Sequence, residues 1–262
     1  MHFRFVIPAR YASSRLPGKP LVTVAGRSLL RRVHDIARAV AGIEDVWIAT
    51  DDERIARHAE SFGGRALLTP GHCATGTDRV RAALALMPRR PDAVVNLQGD
   101  AVLTPPWVVQ ALVDAFHADP DLAMVTAAVA LDWEQLRAVE TLKAASPASG
   151  TLVTMDLSGR ALYFSKAVIP FLRRRDESRP PPVHRHIGIY GYACATLERL
   201  AALPQSPLEA AEQLEQLRAL ENGIAIRVAV VDYRGRTHGS VDSPADIAFV
   251  EAVIAREGEL VP

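Results

Sequence analysis

Three cations sit on one constrained loop near the start of the chain. Pro8–Pro20, PARYASSRLPGKP, carries Arg10, Arg15 and Lys19 among a glycine and prolines, directly after the apolar run Phe3–Ile7. Guanidinium forks grip phosphate oxygens and a lysine adds a compact point charge, so the loop suits a polyphosphate. The plainer alternative is a solvated basic loop. It matches neither common nucleotide loop, having no G-x-G-x-x-G and no G-x-x-x-x-G-K-[ST]. Gln98-Gly99-Asp100 follows a second apolar run, Ala93–Leu97. An aspartate there can hold Mg²⁺ beside phosphates, because that ion takes one or two carboxylates plus phosphate oxygens and water. A Gly-Asp turn without a ligand would read the same way. Asp242, in Val241-Asp242-Ser243-Pro244, is either a second metal ligand or the neighbour of a helix cap.

Two further segments carry polar chemistry. Ala74-Thr75-Gly76-Thr77-Asp78-Arg79 runs into a helix; its hydroxyls, amides and helix N-terminus could read a base edge or bind an anion, or simply cap the helix. His184-Arg185-His186 precedes Ile187-Gly188-Ile189-Tyr190-Gly191-Tyr192. Cations beside tyrosines suit an acidic, hydrogen-bonding ligand, with surface histidines as the alternative. Arg173-Arg174-Arg175 reads as solvated loop charge.

These segments need a frame, and the pattern supplies one. Apolar residues at Leu29, Leu30, Val33, Ile36, Ala37 and Val40 mark a helix over 28–40. Asp45–Thr50 reads as a strand, Glu53–Phe62 as a helix stopped by Gly63-Gly64, Arg65–Leu68 as a strand and Thr77–Met87 as a helix. Thr104 is the expected cap, with Pro105 first in a helix to about Phe116, followed by a strand at Ala123–Val129. The β-α-β-α order predicts a mainly parallel twisted sheet with helices on both faces, whose carboxyl edge presents the ligand loops. The rhythm then changes. Thr151–Met155 and Ala161–Phe164 read as a β-hairpin, Arg173–Pro182 as an exposed loop and His186–Ala193 as a strand. Ser206-Pro207-Leu208-Glu209 opens a helix to about Leu220, Ile224–Val231 is a strand, and Ser243-Pro244-Ala245-Asp246 opens the last helix. We expect one domain over 1–262, with a hairpin-containing insertion at about 146–196.

Composition narrows the function. The 262 residues are 49% hydrophobic and 23% charged, which excludes a disordered chain. Thirty basic residues balance 30 acidic ones, so no net field draws nucleic acid. No apolar run approaches a membrane span, and the N-terminus has no signal-peptide pattern, so a cytoplasmic location is expected. Cys73 and Cys194 are far apart with no partner at metal-ligand spacing, which argues against a disulfide framework or a zinc site.

IPARYASSRLPGKPL, ATGTDRV, VNLQGD, ALYFSKAVIP, HRHIGIYGY, SPLEAAEQLEQLRAL and VDSPADI occur in this order along the chain. Together they resemble the cytidylyltransferases that activate 3-deoxy-manno-octulosonate (Kdo), the CMP-Kdo synthetase family. The resemblance implies a nucleotide-diphospho-sugar-transferase-like fold, CTP as donor, Mg²⁺, a small acidic acceptor and a homodimer using the hairpin. It implies that Pro8, Ala9, Arg10, Arg15 and Lys19 lie on the nucleotide, with Arg10, Arg15, Lys19 and Asp100 in catalysis. Thr75, Gly76 and Thr77 would face cytosine and ribose with Arg79 in support, and Gln98 would lie between nucleotide and acceptor. Asp100 and Asp242 would hold the metal. Arg185, His186, Tyr190, Glu209 and Glu215 would form the acceptor side.

Two departures bear on the acceptor. The family's QGDEP is here Gln98-Gly99-Asp100-Ala101-Val102, and its N-P-N-x-V-K-V-V is Ser146-Pro147-Ala148-Ser149-Gly150-Thr151-Leu152-Val153. Loss of a carboxylate beside an anion site lowers repulsion toward a more highly charged acceptor. With only Lys19, Lys143 and Lys166 as lysines, the composition also has the bias of a GC-rich genome. Related enzymes transfer CMP to phosphonoformate, so the resemblance, taken with these departures, implies a phosphonate acceptor such as phosphonoformate. The alternatives are Kdo and a catalytically silent nucleotide-binding homologue.

Overall fold

The computed structural model describes residues 1–262 apart from residues 14, 44 and 262, so Ser14 of the basic loop lies outside the described residues. The strands are β1 (Phe3–Ala9), β2 (Thr23–Val24), β3 (Arg27–Ser28), β4 (Val46–Thr50), β5 (Arg65–Leu68), β6 (Ala93–Asn96), β7 (Met124–Ala130), β8 (Leu152–Met155), β9 (Ala161–Ser165), β10 (His184–Ala193) and β11 (Ile226–Val230). The helices are α1 (Leu29–Arg38), α2 (Glu53–Ser61), α3 (Gly76–Leu86), α4 (Pro106–Ala118), α5 (Trp133–Ala145), α6 (Cys194–Ala202), α7 (Pro207–Glu212), α8 (Gln216–Glu221) and α9 (Pro244–Glu257).

The central sheet runs β11-β7-β10-β6-β1-β4-β5. Its pairs are parallel except those of β10, which lies antiparallel between β6 and β7. The hairpin β8–β9 attaches to the start of β10 through His184↔Val153 and Arg185↔Leu152, so residues 146–196 end inside the main sheet. Alternation along each strand divides the core. Phe3, Phe5 and Ile7 pack with α1, α2, α4 and α9 on one face. Val6, Val94, Met124 and Tyr192 pack with α3, α6 and α8 on the other. Helices thus cover both faces, as the sequence pattern predicts.

The structure departs from the sequence reading at several elements. The α4 cap is Pro105, one residue beyond the expected Thr104, with Pro106 opening the helix. The single helix expected over 206–220 is two helices, because Gln213 adopts a left-handed conformation (φ 55°) and breaks it. Helices α5 and α6 fill stretches given no helix from sequence. Among the described residues no helix is long and apolar enough to cross a membrane.

Candidate active site

Three loops converge beyond the carboxyl ends of β1, β6 and β11. After β1, Gly18 (φ 70°) turns the chain so that Gly18 N donates to Tyr11 O at 2.9 Å, and this turn presents Lys19. After β6, Ala101 N donates to Gln98 O (3.0 Å) and Val102 N to Asp100 O (2.8 Å), which fixes Asp100 in a tight turn. A Cβ at Gly99 would lie 3.1 Å from Pro8 O, so the glycine admits the close approach of the first two loops. After β11, Ser243 caps α9 in a capping box with Asp246. The Asp242 amide donates to Asp246 Oδ2 at 2.9 Å, which leaves the Asp242 carboxylate free to face the other two loops. Val241 N, 3.4 Å from Asp100 O, ties the second and third loops together.

The three loops meet at Lys19. Its Nζ donates to Asp100 Oδ2 at 2.7 Å and to Asp242 Oδ1 at 3.0 Å. Arg15 Nη2 donates to the same Asp242 oxygen at 3.0 Å, from a mostly exposed side chain. The carboxylates, 142 residues apart in sequence, thus come within reach of one nitrogen. They border a cleft of about 250 Å³ lined also by Pro8, Ala9, Arg10, Gly76 and Gln98.

The opposite wall is the start of α3. Thr75 caps it in a reciprocal capping box with Asp78 (Asp78 N to Thr75 Oγ1, 3.1 Å). A Cβ on Gly76 would come within 3.3 Å of Pro8 Cγ and 3.5 Å of Gln98 Oε1, so glycine lets these segments meet. Arg79 is buried and donates to Thr69 Oγ1 (2.8 Å) and Asp51 Oδ2 (2.9 Å), pinning the loops after β5 and β4 behind this wall. Thr77 does not line the cleft: it is 3% exposed and donates to Glu215 Oε2 at 2.9 Å.

The residues expected on the acceptor side separate. His186, Tyr190 and Tyr192 share one face of β10, because the bulge at residues 188–189 preserves their alternation. Thr126 Oγ1 lies 2.8 Å from Ile189 O and 2.9 Å from His186 Nε2. A hydroxyl that donates to the carbonyl must accept from the ring, which selects the Nε2–H tautomer. Phe164 packs edge-on at 5.0 Å. Burial, with Lys166 and His238 nearby, pushes the His186 pKa down to about 3. Arg185, being odd in the alternation, belongs to the opposite face. It is half-buried, with Tyr233 as a nearby titratable group, and does not join His186. Glu209 is 5% exposed and clasped by Arg218 (Nε to Oε2 2.8 Å, Nη2 to Oε1 2.5 Å), while Ser206 N donates to it at 3.1 Å. It anchors α7 to α8 and is not an open acceptor contact. Glu215 begins α8, and burial raises its pKa. Ala101, where the family motif has an acid, is 8% exposed within the hydrophobic core.

Sequence reasoning missed Lys166, Tyr192 and Arg218. Lys166 Nζ donates to Thr151 Oγ1 at 3.1 Å, and its amide to Glu212 Oε2 at 2.8 Å. Its rarity as one of three lysines was a usable signal, as was the parity of Tyr192 with Tyr190.

Two histidines, His186 buried and His238 half-buried, predict an acid-sensitive fold. His186 and His238 have pKa values of about 3 and about 4, below the ordinary 6.5. The unfolded chain therefore binds more protons, so stability is lost as pH falls from about 6.5 toward those values. For His186 the limit is about 1.4 kcal/mol per pH unit. Urea midpoints should fall between pH 7 and pH 5, and less steeply in His186→Asn. Equal slopes in the two proteins would contradict the assignment.

A cytidylyltransferase family model matches residues 4–226. The 3-deoxy-manno-octulosonate cytidylyltransferase of Maricaulis maris is 50% identical over 256 residues, covering 98% of each chain. That of Anaeromyxobacter dehalogenans is 44% identical over 254 residues, covering 97% of this chain and 98% of the relative. The solved structure of CMP:2-keto-3-deoxy-manno-octonic acid synthetase complexed with CTP superposes with a TM-score of 0.86 at 36% identity, covering 98% of this chain and 100% of that one. The chain belongs to the cytidylyltransferase family and, within it, to the CMP-Kdo synthetases.

Proposed function

We propose that this chain transfers CMP from CTP to 3-deoxy-manno-octulosonate and releases pyrophosphate. The observation that carries the reading is the Lys19 ammonium held between Asp100 and Asp242 in a cleft walled by the α3 N-terminus. Three cations and two carboxylates leave this cluster one positive charge in excess, which favours an anion but does not neutralise a triphosphate. Two carboxylates converging on one cation fit Mg²⁺, which takes one or two carboxylates and leaves its other positions to phosphate and water. Asp100 and Asp242 would hold the ion, and it would supply charge neutralisation at the phosphate oxygens.

The chain's own groups do the positioning. Arg10 and Arg15 hold the outer phosphates, and Lys19 exchanges carboxylate partners for phosphate oxygens. Thr75 and Gly76 seat the nucleoside against Pro8 and Gln98. The acceptor hydroxyl oxygen attacks the α-phosphorus. The new O–P bond forms as the bond to the β-phosphate oxygen breaks, pyrophosphate leaves, and the hydroxyl proton passes to water. Both reactants are anions, so alignment and charge compensation carry the rate, and no covalent enzyme intermediate is needed.

The relatives support Kdo over a phosphonate, since those of 50% and 44% identity carry that acid in their names. The phosphonate expectation drew its charge argument from the lost carboxylate at position 101, and Ala101 is buried in the core and does not line the cleft. Tyr190, its ring centroid 5.5 Å from that of His186, and Lys166, also near His186, are polar groups that suit a hydroxyl-rich acid. With Mg²⁺, CTP and Kdo, the protein should release pyrophosphate and form an adduct of the mass of CMP-Kdo, while UTP and GTP give little. Absence of the adduct at saturating CTP would overturn the reading.

A further inference from the structure

Thr75 and Thr77 lie two residues apart at the start of α3 and point to different places. Thr75 borders the nucleotide cleft, whereas the Thr77 hydroxyl donates across to Glu215 at the head of α8. Tyr192 closes on the same hydroxyl from β10. Glu215 also lies 3.9 Å from Arg218, whose guanidinium clasps Glu209 of α7. The left-handed turn at Gln213 sets the direction from which α8 approaches. Next to Glu215, the buried Gln216 leaves its Nε2 without a partner. We infer that Thr77 is a positioning residue for the acceptor side: its hydroxyl ties the nucleotide loop to α8 and so aims Glu215. This deepens the proposed function and rests on it for the identity of the acceptor.

The groups facing Glu215 are Asp78 from α3, Tyr190 and Tyr192 from β10, Glu209 from α7 and Arg218 from α8. Burial raises the Glu215 pKa, and the Thr77 hydrogen bond opposes the rise. Removing the hydroxyl therefore moves this pKa further up, so Glu215 loses its charge at a higher pH.

The test uses the full chain as Thr77→Val and Thr77→Ser. Three quantities are read: CTP affinity by calorimetry with Mg²⁺, hydrogen exchange of amides 206–221, and Kdo kinetics across pH. A hydrogen bond to a charged group predicts about tenfold faster exchange and about tenfold higher acceptor KM in Thr77→Val, with CTP affinity within about twofold. The acid limb of kcat/KM for the acceptor should move to higher pH, and Thr77→Ser should restore all of these. A comparable loss of CTP affinity would make Thr77 a nucleotide ligand and overturn the inference, as would unchanged exchange over 206–221 or failure of serine to rescue. If the wild type does not use Kdo, the proposed function falls. Exchange and CTP affinity still decide the Thr77–Glu215 link in that case.

Discussion

Asp100→Asn should lower kcat/KM by roughly a hundred- to a thousandfold, the range expected when one electrostatic element of a transition state is removed. The substitution is nearly isosteric, and the turn that holds residue 100 is made by its backbone carbonyl, which accepts from Val102 N at 2.8 Å. The only polar contact of the side chain among the described residues is with Lys19, so the fold should stay intact and the thermal midpoint should move little. Charge, not shape, is lost. CTP binding without Mg²⁺ should hold or tighten, because Lys19 then has one carboxylate fewer competing for its ammonium. Steady-state rates with Mg²⁺ and calorimetry without it check the two halves. Near-normal turnover would remove Asp100 from the site.

Glu209→Ala should act on the fold instead. The carboxylate and its Arg218 partner are both nearly enclosed, and removing one member of a buried pair strands the other charge. That costs about 3–5 kcal/mol. For a chain of this size the thermal midpoint should fall by roughly 10 °C. Arg218 has weaker contacts to fall back on, Glu215 Oε1 at 3.9 Å from Nη2 and the carbonyls of Leu200 and Leu203 at 3.5 Å from Nη1. Ser206 N loses its acceptor at the α7 cap as well. If Glu209 touched the acceptor, as the family resemblance implies, the loss would appear as a raised acceptor KM at an unchanged midpoint. Thermal unfolding beside acceptor kinetics separates the two outcomes.

The parallel half of the fold was legible because its signals are local. Apolar strands alternate with amphipathic helices, and Ser206 and Ser243 open helices with capping boxes. Helix α5 was not, although Asp132 and Gln135 form such a box. Its inward face carries Lys143, which buries its ammonium against Ser149 O (2.6 Å) and Lys166 O (2.5 Å), so a charge occupies a position where the pattern needs an apolar residue. The break at Gln213 has no glycine or proline to announce it.

At the site, Arg10, Arg15, Lys19, Gln98, Asp100 and Asp242 were readable because they sit on loops at strand ends, which the α/β topology gathers at one edge. Arg185 was misplaced although the alternation of β10 puts it opposite His186. The roles of Thr77 and Glu209 depend on how α3, α7 and α8 pack, a long-range property that segment-by-segment reading does not contain. The burial of Ala101 is of the same kind, and it removes the charge argument for a phosphonate.

The acceptor decides which product this enzyme makes. Initial rates of pyrophosphate release from CTP with Mg²⁺ should be measured with Kdo, phosphonoformate and sialic acid in parallel. The specificity constant for Kdo should exceed each of the others by at least about tenfold, a margin of roughly 1.4 kcal/mol in transition-state binding. A specificity constant for phosphonoformate equal to or above that for Kdo would contradict the account.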